Sequence, residues 1–201
     1  ASAMGTPAIR RLATLAGNVV ASVGNADGAA ALLALDAEVE VTNLTGAQWL
    51  PVSSLVVKQG VSRVNAGSEI ATAFRFTALG AGQGSAFVHA KPATPWQRAP
   101  FVLALMLALD ESRERVAWAS VAVGWASGIP TRLGEVERAV EGLVISNEDV
   151  MGAFGALVRE ALLKNNAEIP PALEMDIARL APRAFRRAIA QALAHPSAAP
   201  S

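Results

Sequence analysis

The apolar runs Phe101–Leu109 and Val116–Trp125 flank a charged segment, residues 110–115, and this pairing constrains the architecture more than any other stretch. β-branched and aromatic side chains in both runs suit paired strands, and Asp110, Glu111, Ser112, Arg113, Glu114 and Arg115 supply a polar turn, so a β-hairpin is expected. Leu103, Leu105, Met106 and Leu109 keep a helical alternative open. Residues 85–90, before a Pro-rich loop over 91–100, read as an edge segment beside this hairpin.

Elsewhere the pattern alternates between short strands and helices. Residues 38–42 alternate as a strand, 49–52 as its hairpin partner across turn residues 43–46, and 69–76 as a further strand. Helices are expected over 6–15, with Thr6 as cap and Pro7 in the first turn, over 28–35, and over 134–142. A fourth opens at Asn147 with Glu148 and Asp149 in its first turn. Its apolar stripe is Val150, Phe154, Leu157, Val158, Ala161 and Leu162, and it ends near 164–166. Pro170 and Pro171 precede a last helix over 182–194, with Phe185, Ile189 and Leu193 toward the core and Arg183, Arg186 and Arg187 in solvent. Residues 55–66 read as irregular and the tail 196–201 as disordered. Gly80, Gly82 and Gly84 read as a flexible connection, with a lobe boundary near residue 80. The sum is an α+β protein of two lobes, 1–80 and 81–195, the second a small antiparallel sheet covered on one face by helices.

Composition removes several classes of chemistry. Seventeen basic and seventeen acidic side chains cancel, so no long-range field steers the chain to nucleic acid or to an anionic membrane surface. Cysteine is absent, which excludes disulfides, thiolate catalysis and iron–sulfur ligation by this chain. The first residues lack a signal-peptide pattern and no uninterrupted apolar stretch reaches bilayer length, so a cytoplasmic location is expected. His89 and His195 are the only histidines, which leaves no metal-binding cluster. No nucleophile-elbow sequence accompanies them, and the carboxylate pairs Glu135/Glu137 and Glu148/Asp149 sit at helix starts, where they complement the dipole. No catalytic residue is assigned.

The remaining candidate is Thr14-Leu15-Ala16-Gly17-Asn18, followed by Asp27. It reads as a small-residue loop in which Gly17 permits close backbone approach and Asn18 and Asp27 offer short polar side chains for a turn or a ligand. Residues 9–19, Ile-Arg-Arg-Leu-Ala-Thr-Leu-Ala-Gly-Asn-Val, resemble the IRN-x-GTIGGNI segment of the FAD-binding subunits of molybdenum hydroxylases, the xanthine dehydrogenase and carbon monoxide dehydrogenase family. The likeness continues through Asp27 and the helix and strand after it. It extends to residues 130–142, similar to P-x-R-x-x-E-x-E-x-x-L-x-G of the family's C-terminal domain, and to Phe185-Arg186-Arg187, similar to its closing YRR.

That resemblance implies an oxidoreductase component, inactive alone, in which FAD passes electrons from iron–sulfur clusters to an external acceptor. Its implied partners are a complementary N-terminal FAD lobe, an iron–sulfur subunit and a molybdopterin subunit. It implies that Thr14, Ala16, Gly17 and Asn18 approach the cofactor, that Asp27 accepts hydrogen bonds from it, that Ile70 packs near the flavin, and that His89 stands where relatives carry Lys beside the ring. In the family the matching segment follows a first lobe with the glycine-rich pyrophosphate loop, so this sequence is expected to be a fragment, a split-gene product or a degenerate relative. Ala16 replaces the first glycine of the usual pair, Val23-Gly24 replaces Ser-Pro, and Lys58-Gln59-Gly60 stands in place of Gly-Tyr-Arg. These departures predict weak or no FAD binding by this chain alone and leave a second reading, a structural or assembly module of the same fold without the cofactor.

Overall fold

Local sequence signals account for most of the elements in a computed structural model that describes residues 7–90, 100–147, 149–165 and 169–195, the side chains of residues 9 and 10 excepted. The N-terminal part contains α1 (Pro7–Leu12), α2 (Leu15–Val20), α3 (Asp27–Ala34), β1 (Glu38–Asn43), β2 (Gly46–Pro51), β3 (Val56–Lys58), β4 (Val61–Ser62) and β5 (Ile70–Arg75). The C-terminal part contains β6 (Gln83–His89), β7 (Phe101–Leu109), β8 (Val116–Trp125), β9 (Thr131–Arg132), α4 (Gly134–Val140), α5 (Asp149–Asn165) and α6 (Pro171–Ala194). The chain is α+β, with helices packed on small antiparallel sheets.

The β1–β2 turn is built by Asn43. Its Oδ1 accepts from the amides of Thr45 at 2.8 Å and Gly46 at 3.1 Å, and Gly46 adopts φ 147°, a conformation open chiefly to glycine. The resulting sheet has the order β2-β1-β5. Val39 and Val41 face inward with Leu50, Ala71 and Phe74 in one cluster with α3, whose Ala29, Ala30, Leu32, Leu33 and Ala34 are buried. The outer face is polar: Arg75 Nε donates to Glu38 at 2.6 Å, and its guanidinium lies 4.3 Å from the centre of the Trp49 ring.

The hydrogen bond from Arg75 holds the Glu38 carboxyl below its ordinary value of 4.5. A carboxyl lowered on folding contributes stability that is present above its unfolded pKa and lost as pH falls through the folded one. Glu38→Gln should therefore lower the melting temperature slightly at neutral pH, and the two proteins should converge as pH falls below 4.5, so the variant's fall is the shallower. Parallel acid titrations of the two proteins would refute this.

The second sheet has the order β6-β7-β8-β9. The expected hairpin forms, in register Phe101↔Trp125 to Leu109↔Val116. All nine residues of β7 are buried because the sheet is covered on both faces, which explains an unbroken apolar run where a half-exposed strand would alternate. Leu103, Leu105, Leu107, Val121 and Val123 face α4, α5 and α6, while Val102, Ala104 and Ala122 face α3. The helix cover expected on one face is thus joined by α3 on the other. Ser120, almost fully buried, donates its hydroxyl to the Ala34 carbonyl at 2.7 Å.

Four expectations are corrected. Residues 55–66 are not wholly irregular: β3 and β4 pair as a short ribbon. The last helix begins at Pro171 and carries Pro182 inside it. Proline ends helices when the lost N–H and the ring clash go uncompensated; here a buried stripe runs on both sides, from Leu173, Ile177 and Leu180 to Phe185, Ala188 and Ala192. Gly155 of α5 makes room for the proline ring, since a Cβ there would lie 3.3 Å from Pro182 Cγ and Cδ. Leu193, at the end of α6, is 45% exposed instead of core. Gly84 is a packing residue within β6, because a Cβ would lie 2.7 Å from the Ala192 amide nitrogen and closer still to the Ala188 carbonyl oxygen of α6. Trp125 is buried and Trp118 half-buried, whereas Trp96, with most of the Pro-rich loop, and the tail 196–201 lie outside the described residues.

Candidate cofactor site

Thr14 is an extended residue, φ −109° and ψ 155°, whose Oγ1 accepts from the Gly17 amide at 2.9 Å. The segment expected to be a loop is therefore an N-cap followed by a short helix, α2. Threonine suits the cap, but Gly and Asn within six residues are poor helix formers, and so short a helix leaves no readable period. Leu15 and Ala16 lie in the first turn, where backbone amides have no acceptor inside the helix. Thr14, Leu15 and Gly17 are exposed and Ala16 is half-buried.

Asn18 joins this wall to the next helix. Its Oδ1 accepts from the Gly28 amide at 2.9 Å, which ties α2 to the first turn of α3. A Cβ on Gly28 would lie 2.7 Å from Asn18 Oδ1 and 2.8 Å from Leu15 Cδ1, so both side-chain ends would have to shift. Asp27, half-buried and itself partnered, immediately precedes Gly28 and opens α3. The structure thus brings Thr14, Ala16, Gly17, Asn18 and Asp27 together on adjoining helix starts. Asn18 also has a structural duty, and its carbonyl oxygen is committed to Gly28.

The other two sequence candidates sit further round. Ile70 opens β5, which packs against α2, and its side chain is 63% exposed. His89 ends β6 opposite Val102 and shares a face with Phe87, their ring centres 6.4 Å apart. Phe87, Val102 and Ala104 belong to the core under α3, so His89 is on the sheet face turned toward the N-terminal part. No described hydrogen bond links His89 or Ile70 to the Thr14–Asp27 cluster.

Sequence reasoning missed what holds the cluster against the second sheet. Ser22 is buried at φ 50°, and its carbonyl accepts from the Gly60 amide at 2.8 Å. A Cβ on Gly24 would lie 2.8 Å from the Gly128 carbonyl carbon and nearer still to the carbonyl oxygens of Gly128 and Trp125. A Cβ on Gly124 of β8 would run into the Gly24 carbonyl oxygen. Gln59 adds a hydrogen bond from Nε2 to the Ala126 carbonyl at 2.9 Å. Both stretches noted above as departures, 23–24 and 58–60, therefore clamp the N-terminal part to the end of β8. The motif at 130–142 has a similar duty. Glu137 Oε1 accepts from the Val121 amide at 2.9 Å and from Arg132 Nε at 2.7 Å, and Arg132 also reaches Asp36 at 3.1 Å. Val121 and Asp36 lie too far from this motif in sequence for spacing to disclose them.

Among the described residues no group of three or more acidic, histidine or cysteine side chains could hold a metal, and no helix is long and apolar enough to cross a membrane. The arrangement leaves room for close approach: an exposed, capped helix start with small residues, on which a Cβ at Gly17 would meet only its own cap, Thr14 Oγ1, at 3.0 Å.

Comparison with known proteins places this geometry. Residues 1–76 match the family model described as the FAD binding domain in molybdopterin dehydrogenase. The fold of nearly the whole chain is similar to a chain of the cyanide-inactivated Cu,Mo-CO dehydrogenase, with TM-score 0.77, 20% identity and coverage of 94% of this chain and 65% of that one. Reconstituted CO dehydrogenase from Oligotropha carboxidovorans gives TM-score 0.75 at 20% identity over 96% of this chain and 65% of that one. Quinoline 2-oxidoreductase from Pseudomonas putida 86 gives 0.76 at 15% identity over 94% and 65%. The chain spans about two thirds of the length of these structures' chains. No curated protein matches its sequence.

Proposed function

We propose that the chain is part of the flavoprotein component of a molybdenum hydroxylase, with residues 1–80 as one lobe of its FAD site and 81–195 as its C-terminal domain. The observation that carries this reading is the Asn18–Gly28 hydrogen bond of 2.9 Å, which joins the Thr14–Gly17 helix start to the Asp27 helix start within the family-matched segment. When bound, FAD supplies the redox chemistry, receiving electrons and passing them to an external acceptor. The protein's share is position. The capped start of α2 approaches the cofactor through backbone and side-chain groups of Thr14, Ala16, Gly17 and Asn18, Asp27 accepts hydrogen bonds, Ile70 covers an apolar part, and His89 stands on the facing sheet. Cysteine is absent, so the iron–sulfur clusters belong to a separate subunit, and substrate turnover belongs to a molybdopterin subunit.

A complementary N-terminal lobe supplies the remaining FAD contacts, since half of a ligand's contacts rarely outweigh the entropy lost on capture. Mixing the chain with that lobe, separately expressed, should give a complex with visible flavin absorbance. Asn18→Ala leaves the Gly28 amide without its acceptor and should weaken FAD retention about tenfold or more while costing roughly 1–2 kcal/mol of stability. Colourless protein with and without the added lobe would favour the assembly-module reading instead.

A further inference from the structure

Helix α6 has a face that the packing of the described residues does not use. Its buried side is Leu173, Ile177, Leu180, Ala181, Ala184, Phe185, Ala188, Ile189 and Ala192. Opposite it, Arg179, Arg183, Arg186 and Arg187 follow at helical spacing, all exposed. The two acidic residues of α6 are already engaged: Asp176 pairs with Arg179 at 2.8 Å and Glu174 with Arg159 at 2.8 Å. Arg183, Arg186 and Arg187 form no ion pair with any described residue. Beside the arginines lie two exposed apolar side chains, Met175 at 74% and Leu193 at 45%. Met175 also borders a shallow depression with Ala172, Asp176 and Arg179.

We propose that this face of α6, centred on Arg183, Arg186 and Arg187 and flanked by Met175 and Leu193, is the docking surface for an acidic protein partner. Charge complementarity sets the sign, because three unpaired guanidiniums in adjacent turns attract a carboxylate-bearing surface. The apolar flanks select protein over other polyanions: arginine and methionine are enriched at protein interfaces, whereas phosphate backbones and lipid headgroups offer nothing for Met175 to cover. The net charge of zero argues the same way, since it provides no long-range field toward nucleic acid or an anionic bilayer. A second copy is disfavoured, because isologous pairing through this face would set arginine against arginine. The inference is independent of FAD binding.

The test uses the full chain and a synthetic helical peptide with glutamates at i, i+3, i+4 and i+7 and flanking leucines. The peptide should bind, more weakly as salt rises. The R183Q/R186Q/R187Q triple variant should lose about tenfold or more in affinity, Met175→Ser should lose about threefold, and the triple lysine variant should keep most of the binding. All these side chains are exposed, so melting temperatures should match the parent, and the lysine variant keeps the test valid if the glutamine variant is unstable. Equal affinity of the glutamine variant would overturn the proposal. So would tighter binding to a DNA duplex or to phosphatidylserine vesicles than to the peptide, or a dimer in sedimentation that the triple variant abolishes.

Discussion

Gly24→Ala should destabilise the protein by about 3 kcal/mol or more, read as a lowered denaturant midpoint at unchanged slope. The added methyl group has backbone on its far side, the carbonyls of Gly128 and Trp125, and cannot be accommodated by turning a flexible side chain. The turn at 22–26 leads directly into Asp27, so displacing it should also disturb the proposed cofactor wall. Gly124→Ala presses on the same contact from the β8 side and should cost a comparable amount. The double variant should then cost less than the sum, because either methyl group alone already forces the two backbones apart. A loss below roughly 1 kcal/mol for Gly24→Ala would mean that the N-terminal part is not clamped to the end of β8.

Phe185→Ala should cost about 3–5 kcal/mol. Phe185 and Phe154 are fully buried and stacked, ring centres 4.5 Å apart and planes 9° from parallel. Alanine would open a cavity between α5 and α6 that Pro182 and Gly155, already in close contact, cannot collapse to fill. Phe185→Leu, which keeps most of the volume, should recover more than half of the loss. If alanine and leucine were equally tolerated, the two helices would have to pack on the sheet by some other contact.

How far the sequence discloses this fold depends on the range of the force involved. The β7–β8 hairpin was legible because burial on both faces gives continuous apolar runs and the charged turn marks their ends. The buried stripe of α5 was legible from its helical period for the same reason. Pro182 concealed the first half of α6, since a local rule about proline was overridden by the stripe that continues across it. For the candidate site, Thr14, Gly17, Asn18 and Asp27 stand out by residue type and family resemblance, while α2, which Thr14 caps, is too short to carry a period. Gly24, Gly124 and Gly84 could not be read at all. A glycine selected for close backbone approach has the same letter as one in a turn, and only the partner across the sheet distinguishes them.

Amide hydrogen exchange at single-residue resolution, on the chain mixed with the complementary lobe and with or without FAD, tests the cofactor wall itself. The account predicts that FAD slows exchange at Leu15 and Ala16 in the first turn of α2 and at Asp27, which opens α3, with the outer face of α6 unaffected. Retained flavin with unchanged exchange at both helix starts would contradict it.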